Sequence, residues 1–308
     1  MTMKKVNQIK IGRNVTVNDL VKKFSEIGVM GAGNLGKSAD ILEMMIKDKD
    51  CKVFLGIAGA MVPGGMQNVI IDIIDNKYAD VIVTTGAILT HDLVEGLGFD
   101  HLQGHSSLND AELYKKGLVR MYDSLMKSSA YIVLEKFFDK NFNKLKEAKN
   151  IREFLSILGK NAPKNTILNA CYRNNIPLFC PAISDSGIGL MIWGKIARGM
   201  KINIDTFDDM KEILDIAWTS KSSGVFYIGG GVPKNYIQQS MQFSKKAKYG
   251  VQITVDVPEY GGSSGASLRE GVSWGKLEDK ARYVDLKCDA TIALPILISA
   301  LKDRLGNI

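Results

Sequence analysis

Short apolar runs alternate along this chain with longer segments in which apolar residues recur at helical spacing. The short runs are rich in β-branched and aromatic residues and are bounded by Gly, Asp or Ser, which is typical of buried strands. They lie at 52–57, 79–84, 177–179, 224–228, 250–254 and 282–287. Helical patterns occupy 39–47, 66–76 and 207–217, and residues 288–301 predict a loop that leads into a final apolar helix. Alternating strands and helices predict an α/β fold, a doubly wound and mainly parallel sheet with helices on both faces.

The length of 308 residues permits two domains, but no repeat or low-complexity linker divides the chain. The charged stretch 140–152 indicates a solvated helix or connection rather than a boundary. We therefore predict a single domain over 1–308, with 1–20 as a peripheral N-terminal segment.

Composition narrows the class of protein. Hydrophobic residues are 45% and charged residues 24%, which excludes a disordered chain, and a net charge of +7 without a basic block argues against a nucleic-acid partner. Four scattered cysteines and three histidines give no Cys/His metal pattern, so we predict no metal and a reducing compartment. The N-terminus lacks the apolar core of a secretory signal, and the longest apolar stretch, 291–301, is about half of a membrane span. We expect a cytoplasmic protein with no membrane partner.

One glycine motif has the form of a dinucleotide-binding sequence. Gly31, Gly33 and Gly36 match G-x-G-x-x-G, but they follow at best a very short strand. We favour a plain Gly-rich loop that leads into a helix at Ser38.

Three other Gly-rich segments follow predicted strands, at 56–66, 84–87 and 229–235. Ligands of open α/β sheets bind at such carboxyl ends, so these segments predict a phosphate-bearing ligand, with plain turns as the alternative. Asp92 is a candidate acceptor from a ribose or an ammonium, and a helix cap is its alternative.

The segment 261–276 is the most informative. Ser267 and Glu270 have the spacing of a capping box, and glycines flank Trp274 and precede Lys276. A lysine against an indole face is partly desolvated, which lowers its pKa and suits it to imine formation. The alternative is a surface lysine that caps a helix.

Taken together, these segments resemble the deoxyhypusine synthase family, in its archaeal and bacterial branch, over nearly the whole chain from about Val21 to Leu301. The strongest match is E-G-V-S-W-G-K at 270–276, which is close to the family form E-A-[VI]-S-W-G-K. Further matches lie at 54–56, 83–85, 181–185, 229–231 and 289–290.

The resemblance implies a Rossmann-like fold, a homotetramer with active sites at dimer interfaces, and tightly bound NAD. It implies transfer of the aminobutyl group of spermidine, through an imine on the catalytic Lys276, to a lysine of a translation-factor precursor. The residues expected to bind substrate are Trp274, Glu270, Asn235 and His91. Those expected to contact the cofactor are Gly59, Thr85, Gly86, Asp185, Gly230, Asp289 and Ala290.

The chain departs from the eukaryotic pattern at the amine pocket. Asn235 replaces a histidine, and Leu190, Ser263 and His91 replace acids. Two alternatives therefore stay open: transfer to putrescine or another small amine, and a non-catalytic homologue that binds NAD or a polyamine.

Overall fold

The computed structural model describes residues 4–306. Its α-helices are α1 (Val17–Ile27), α2 (Met30–Lys47), α3 (Gln67–Asp75), α4 (Gly86–Gly96), α5 (Asp110–Lys115), α6 (Ala130–Leu145), α7 (Ile151–Asn161), α8 (Ile167–Arg173), α9 (Gly187–Ala197), α10 (Phe207–Thr219), α11 (Gly231–Gln242), α12 (Glu270–Ser273) and α13 (Ala290–Leu305). Its strands are β1 (Cys51–Ile57), β2 (Val81–Val83), β3 (Leu102–Gln103), β4 (Leu118–Met121), β5 (Ser124–Lys127), β6 (Leu178–Phe179), β7 (Ser222–Ile228), β8 (Ala247–Thr254) and β9 (Leu277–Lys287).

The six predicted strands form one sheet, in the order β6-β2-β1-β7-β8-β9. Its β1–β7, β7–β8, β8–β9 and β2–β6 ladders are parallel, and helices flank the sheet. Every residue of β1 except Lys52 is buried, as expected for a parallel strand covered on both faces. The predicted α/β class with a mainly parallel sheet is confirmed. A small antiparallel sheet, β3-β5-β4, was not predicted, because its short, partly exposed strands carry no continuous apolar run.

The chain divides into two compact units. One comprises residues 1–57, 76–81 and 213–308, and the other comprises residues 58–75 and 82–212. The boundary therefore falls within β2, after Val81, and the prediction of one domain over 1–308 stays a prediction.

The first unit, which we call the β7–β9 unit, has its core around β1, β7 and β8, with Phe54 and Tyr227 among the largest fully buried side chains. The second unit, which we call the α4–α9 unit, contains Phe138, Phe154 and Phe179 among its largest fully buried side chains. None of the helices within residues 4–306 is long and apolar enough to cross a membrane.

The N-terminal segment is largely without regular structure. Residues 4–16 have no helix or strand and are mostly exposed, and α1 begins at Val17, inside the segment expected to be peripheral. Residues 1–3 of that prediction lie outside the described part of the chain.

The G-x-G-x-x-G sequence lies inside α2, so the predicted loop before Ser38 is wrong. Its glycines serve helix packing. A Cβ at Gly36 would stand 2.3 Å from the backbone nitrogen of Ser25 in α1, and one at Gly33 would stand 2.5 Å from the carbonyl carbon of Gly28. Only glycine permits this approach of the two helices.

We predict that Gly36→Ala lowers the free energy of unfolding by about 1–3 kcal/mol, because the added methyl group overpacks the contact with α1. Gly31→Ala is the matched control in the same helix, where a Cβ meets nothing within 4 Å. It should raise stability by about 0.5–1 kcal/mol through helix propensity. Urea titration measures both changes, and equal effects of the two substitutions would contradict this account.

Candidate active site

A cavity in the β7–β9 unit brings together four of the predicted residues. Asn235 on α11, Glu270 on α12, and Trp274 and Lys276 in the turn after α12 line a space of about 370 Å³. The other lining residues are Gln238, Gln239, Gln242, Pro258, Gly261, Gly262, Ser263, Ala266, Ser267 and Gly271. The cavity combines one amine, one carboxylate, one indole and several carboxamides, which suits a flexible cationic ligand.

Backbone hydrogen bonds fix Lys276 at the start of β9. Its N–H donates to the Gly271 carbonyl at 2.8 Å, and its carbonyl accepts from the N–H of Ala247 at 3.0 Å. Gly275 has φ of +69°, a conformation that favours glycine, so this residue turns the chain from α12 into the strand. The side chain of Lys276 therefore projects from a backbone held on both sides.

The amine of Lys276 lies beside the indole of Trp274. Its Nζ is 5.0 Å from the ring centroid, a cation–π distance. Desolvation lowers the pKa of Lys276, and the charge of Glu270 opposes that shift. Trp274 is 57% exposed, so much of its ring is open to a ligand. The site can thus supply a partly desolvated amine, an aromatic face and one carboxylate.

The predicted capping box does not form. The Ser267 hydroxyl donates to the Asp285 carboxylate at 2.8 Å, and α12, which begins only at Glu270, has no side-chain cap. Asp285 also accepts from the N–H of Leu268 at 3.0 Å. The carboxylate on β9, rather than a local cap, therefore anchors the entry into α12.

Sequence reasoning missed Lys234. This lysine of α11 is 1% exposed, and its Nζ donates to the carbonyls of Ser263 at 2.5 Å and Ala266 at 2.6 Å. Lysines usually face water, so nothing in the local pattern indicated a buried one. The only available signal was its position just after the glycine triplet and proline.

The glycine triplet forms the turn between β7 and α11. Gly229 and Gly231 have φ of +72° and +57°, and a Cβ on Gly230 would stand 2.3 Å from the Cα of Ser264. The close approach at Gly230, predicted to contact the cofactor, is thus to the loop that lines the cavity.

Three predicted cofactor residues gather in the α4–α9 unit. Thr85 caps α4 by accepting from the N–H of Ile88 at 3.4 Å, and a Cβ on Gly86 would stand 2.5 Å from Ser186, which caps α9. Asp185 is exposed one residue before that cap. The two helix N-termini are neighbours, and helix N-termini are suited to anions, with the Asp185 carboxylate close in sequence.

The remaining cofactor candidates also follow strands. Gly59, with φ of +85°, lies after β1 in the α4–α9 unit. Asp289 caps α13 after β9 in the β7–β9 unit, where its Oδ1 accepts from the N–H of Thr291 at 2.7 Å, and Ala290 is the first residue of that helix. Every predicted cofactor residue therefore follows the carboxyl end of a strand of the large sheet.

His91 lies in the α4–α9 unit, at the end of a hydrogen-bonded chain. Its Nδ1 is 2.8 Å from Nε2 of His101, and Nδ1 of His101 is 2.5 Å from Oε1 of Glu95. Burial, together with the neighbouring His101, lowers the pKa of His91 to about 4. His91 is therefore neutral near pH 7, with one ring nitrogen engaged by His101.

Asp92 is part of the scaffold. It is fully buried and accepts from the N–H groups of Ile167 at 2.7 Å and Leu168 at 3.0 Å, and from Nε2 of Gln67 at 2.7 Å. The hypothesis that Asp92 receives a ribose or an ammonium is wrong, because helix α8 and Gln67 occupy its oxygens.

Other reactive groups are inert or dispersed. Within residues 4–306, no three His, Cys, Asp or Glu side chains are grouped as a metal site. The thiols of Cys51, Cys171 and Cys180 are unpaired and buried, and burial raises the pKa of each.

Comparisons with known proteins agree on one family. A family model described as deoxyhypusine synthase matches residues 19–301. A "Probable deoxyhypusine synthase" of Methanosarcina thermophila is 41% identical over 98% of this chain and 96% of its own. A "Probable deoxyhypusine synthase 2" of Archaeoglobus fulgidus is 39% identical over 87% of this chain and 92% of its own. A crystal structure of a "putative deoxyhypusine synthase" from Entamoeba histolytica has a TM-score of 0.61 at 18% identity. The match covers 94% of this chain and 93% of that chain, and it supports the fold.

The lowered pKa of His91 predicts a pH-dependent stability. An unfolded histidine titrates near 6.5 and the folded one near 4, so acidification through this window favours the unfolded state. His91 alone should contribute about 3 kcal/mol to this loss, whereas Asp92 and Asp209, whose pKa values are raised to about 6, act in the opposite sense. We expect His91→Gln to remove the His91 contribution, measured against the wild type as the change in the difference in unfolding free energy between pH 7 and pH 4.

His105→Gln is the control for that measurement, because His105 is exposed and bonds locally to Ser107. The prediction fails if both variants lose as much stability as the wild type on acidification.

Proposed function

The chain belongs to the deoxyhypusine synthase family, and from that premise we propose that it transfers the aminobutyl group of spermidine to a lysine of a translation-factor precursor. The transfer depends on NAD and passes through an imine on Lys276. The observation that carries this proposal is the desolvated Lys276 amine beside Trp274 and Glu270 in one cavity. This combination provides the nucleophile and a cation-binding wall together.

The residues of Lys276's pocket suit covalent capture. Imine formation requires the neutral amine, and desolvation lowers the pKa of Lys276 in that direction. The lysine displaces 1,3-diaminopropane from the oxidised donor and keeps the four-carbon fragment as its imine. An acceptor amine then attacks the imine carbon, takes the fragment and frees Lys276.

Glu270 and Trp274 would hold the donor. The carboxylate pairs with one ammonium, and the exposed indole covers the methylene chain and attracts a cationic nitrogen. Asn235 and the neighbouring glutamines offer amide oxygens to further N–H groups. We place His91 with the substrate residues on the resemblance alone.

The residues named for NAD fit a dinucleotide. The neighbouring N-termini of α4 and α9, at Thr85 and Gly86 and beside Asp185, suit a pyrophosphate and a ribose. Gly59 follows β1 in the α4–α9 unit, and Gly230, Asp289 and Ala290 follow β7 and β9 in the β7–β9 unit. We place these four with the cofactor on the resemblance alone. When bound, NAD would accept a hydride from the donor carbon and return it to the product.

A small-amine acceptor is the second candidate. Among the residues lining the cavity, Glu270 is the only carboxylate, while α11 supplies four carboxamides. Amides hydrogen-bond to an ammonium group whether it belongs to a protein lysine or to a small amine, so this lining does not restrict the acceptor to a protein. Transfer to putrescine or a similar amine would use the same Lys276 chemistry. A non-catalytic binder of NAD or a polyamine would use the cavity without the imine.

We also propose a cytoplasmic homotetramer with active sites at dimer interfaces. Leu190, Trp193 and Ile196 form an exposed apolar stripe on α9, which is the kind of surface that subunit contacts bury. The unpaired cysteines are compatible with a reducing compartment.

The decisive experiment traps the covalent intermediate. Protein incubated with NAD and spermidine, then reduced with borohydride, should carry an aminobutyl adduct that peptide mass spectrometry assigns to Lys276. Lys276→Ala should lose the adduct and turnover while keeping NAD binding. Lys280→Ala is the control, because Lys280 is an exposed lysine on β9, which begins directly after Lys276.

The outcome also separates the alternatives. In parallel reactions without borohydride, transfer of the fragment to the acceptor protein supports the first function, and transfer only to putrescine supports the second. NAD binding with no adduct supports the binder, and full turnover in Lys276→Ala would exclude Lys276 as the nucleophile.

Trp274→Leu tests the aromatic wall. Loss of the indole face should raise the half-saturating spermidine concentration roughly 3- to 30-fold, which corresponds to a cation–π interaction of about 0.5–2 kcal/mol. The matched control is Trp218→Leu, since Trp218 is an exposed tryptophan on α10. An unchanged half-saturating concentration in Trp274→Leu would remove this residue from the site.

A further inference from the structure

Lys234 carries a charge where the fold would be expected to place an apolar side chain. It is 1% exposed, on a helix whose neighbouring Tyr236 and Ile237 are also buried. Burial of an ammonium is costly unless hydrogen bonds satisfy it. Here two backbone carbonyls, those of Ser263 and Ala266, accept from Nζ.

The charged residues around Lys234 only partly stabilise its ammonium form. Asp285 on β9 and Glu270 on α12 favour its charged form, whereas Lys276 and Lys287 disfavour that form, and desolvation outweighs them all. The pKa of Lys234 is lowered to about 8. A buried methionine of similar length would avoid this cost, so the ammonium needs a reason beyond the stability of the core.

The two carbonyls belong to the loop 261–267 that forms one wall of the cavity. The facing wall is α11, where Asn235 directly follows Lys234 and Gln239 lies one turn further. The Lys234 side chain thus ties one wall of the cavity to the helix that forms the other.

Two hydroxyls tie the loop to other segments: Ser264 donates to the Asp256 carboxylate, and Ser267 donates to the Asp285 carboxylate. The Ser263 hydroxyl reaches the Gly231 carbonyl at only 3.5 Å, the limit for a hydrogen bond. The Ala266 carbonyl also accepts from Nε2 of Gln252 at 3.1 Å. Of the bonds that join the loop to α11, the two charge-assisted bonds of Lys234 are the shortest.

We propose that Lys234 is a positioning residue of the amine pocket, whose ammonium pins the Ser263 and Ala266 carbonyls and thereby sets the gap between the loop 261–267 and α11. The inference rests on the proposed function, because the ligand of that gap is the amine donor. It assigns to Lys234 no contact with the reacting atoms.

The test compares Lys234→Met, Lys234→Arg and, as a matched control, Lys245→Met. Lys245 is exposed in the turn after α11. Borohydride trapping at Lys276 in the presence of NAD measures the half-saturating spermidine concentration and the saturating rate separately. Hydrogen exchange of the amides in 261–267 reports on the loop without any ligand.

Lys234→Met should raise the half-saturating concentration about tenfold, the expected effect of losing charge-assisted hydrogen bonds. The saturating rate should change by less than about twofold, because Lys276 keeps its own backbone restraints. Exchange in 261–267 should become faster. Lys234→Arg keeps donors at this position and should recover part of both effects, whereas Lys245→Met should match the wild type.

The results distinguish the inference from the function on which it rests. Wild-type protein that is never loaded at Lys276 contradicts the proposed function, and the exchange measurement then still judges the restraint on the loop. The inference is overturned if Lys234→Met still forms the adduct at Lys276 with an unchanged half-saturating spermidine concentration and unchanged hydrogen exchange in 261–267. If Lys234→Met does not fold, the same two readouts on Lys234→Gln, which keeps a shorter donor, decide the question.

Discussion

Parallel pairing of β1, β7, β8 and β9 is the constraint on which the rest of the structure depends. Parallel strands all end at the same edge of their sheet, so whatever follows each strand is brought toward that edge. The turn with Gly230 follows β7, the loop 261–267 follows β8, and Asp289 follows β9. Sequence segments that are distant along the chain thereby become neighbours, and the close approach of Gly230 to Ser264, 34 residues further on, is the direct evidence.

Lys276 is the exception to that arrangement, because it precedes its strand rather than following it. The short helix α12 and Gly275 return the chain from the loop to the start of β9. The Lys276 carbonyl then joins the sheet through Ala247, at the beginning of β8. The nucleophile is therefore placed by a connection between two strands, and its position depends on that connection as much as on the sheet.

The sheet could be predicted from the sequence because its signal is local. A strand buried on both faces must be a continuous apolar run, as in β1, and all six predicted runs form strands, although β9 is only partly buried. The helix α2 was harder to predict, since its glycines mimic a loop. The reason for glycine at position 36 is a tertiary contact, because Ser25 of α1 occupies the space that a side chain there would need.

The candidate site likewise contains residues that the sequence could identify and residues that only the structure reveals. The motif around Trp274 and Lys276 could be recognised from its residues, and the structure places both on one cavity. The role of Asp92, for which a ligand contact and a helix cap were both open, could not be decided from sequence because its partners, Ile167 and Leu168, lie about 75 residues away. Lys234 was missed for a related reason. Its acceptors are backbone carbonyls, which every residue possesses, so no side-chain pattern can reveal them.

The contrast between Lys234 and Lys276 shows what burial does to the same functional group. Both amines are desolvated, and in both the pKa is lowered, but only Lys234 has two carbonyls as acceptors. An amine whose N–H groups are engaged in fixed hydrogen bonds is held in place and is poorly free to attack an electrophile. Lys276 faces an indole and a carboxylate across an open cavity, which leaves its nitrogen available. The structural role of Lys234 and the reactive role of Lys276 thus follow from their hydrogen-bond partners. Depth of burial alone would have indicated Lys234 as the reactive lysine.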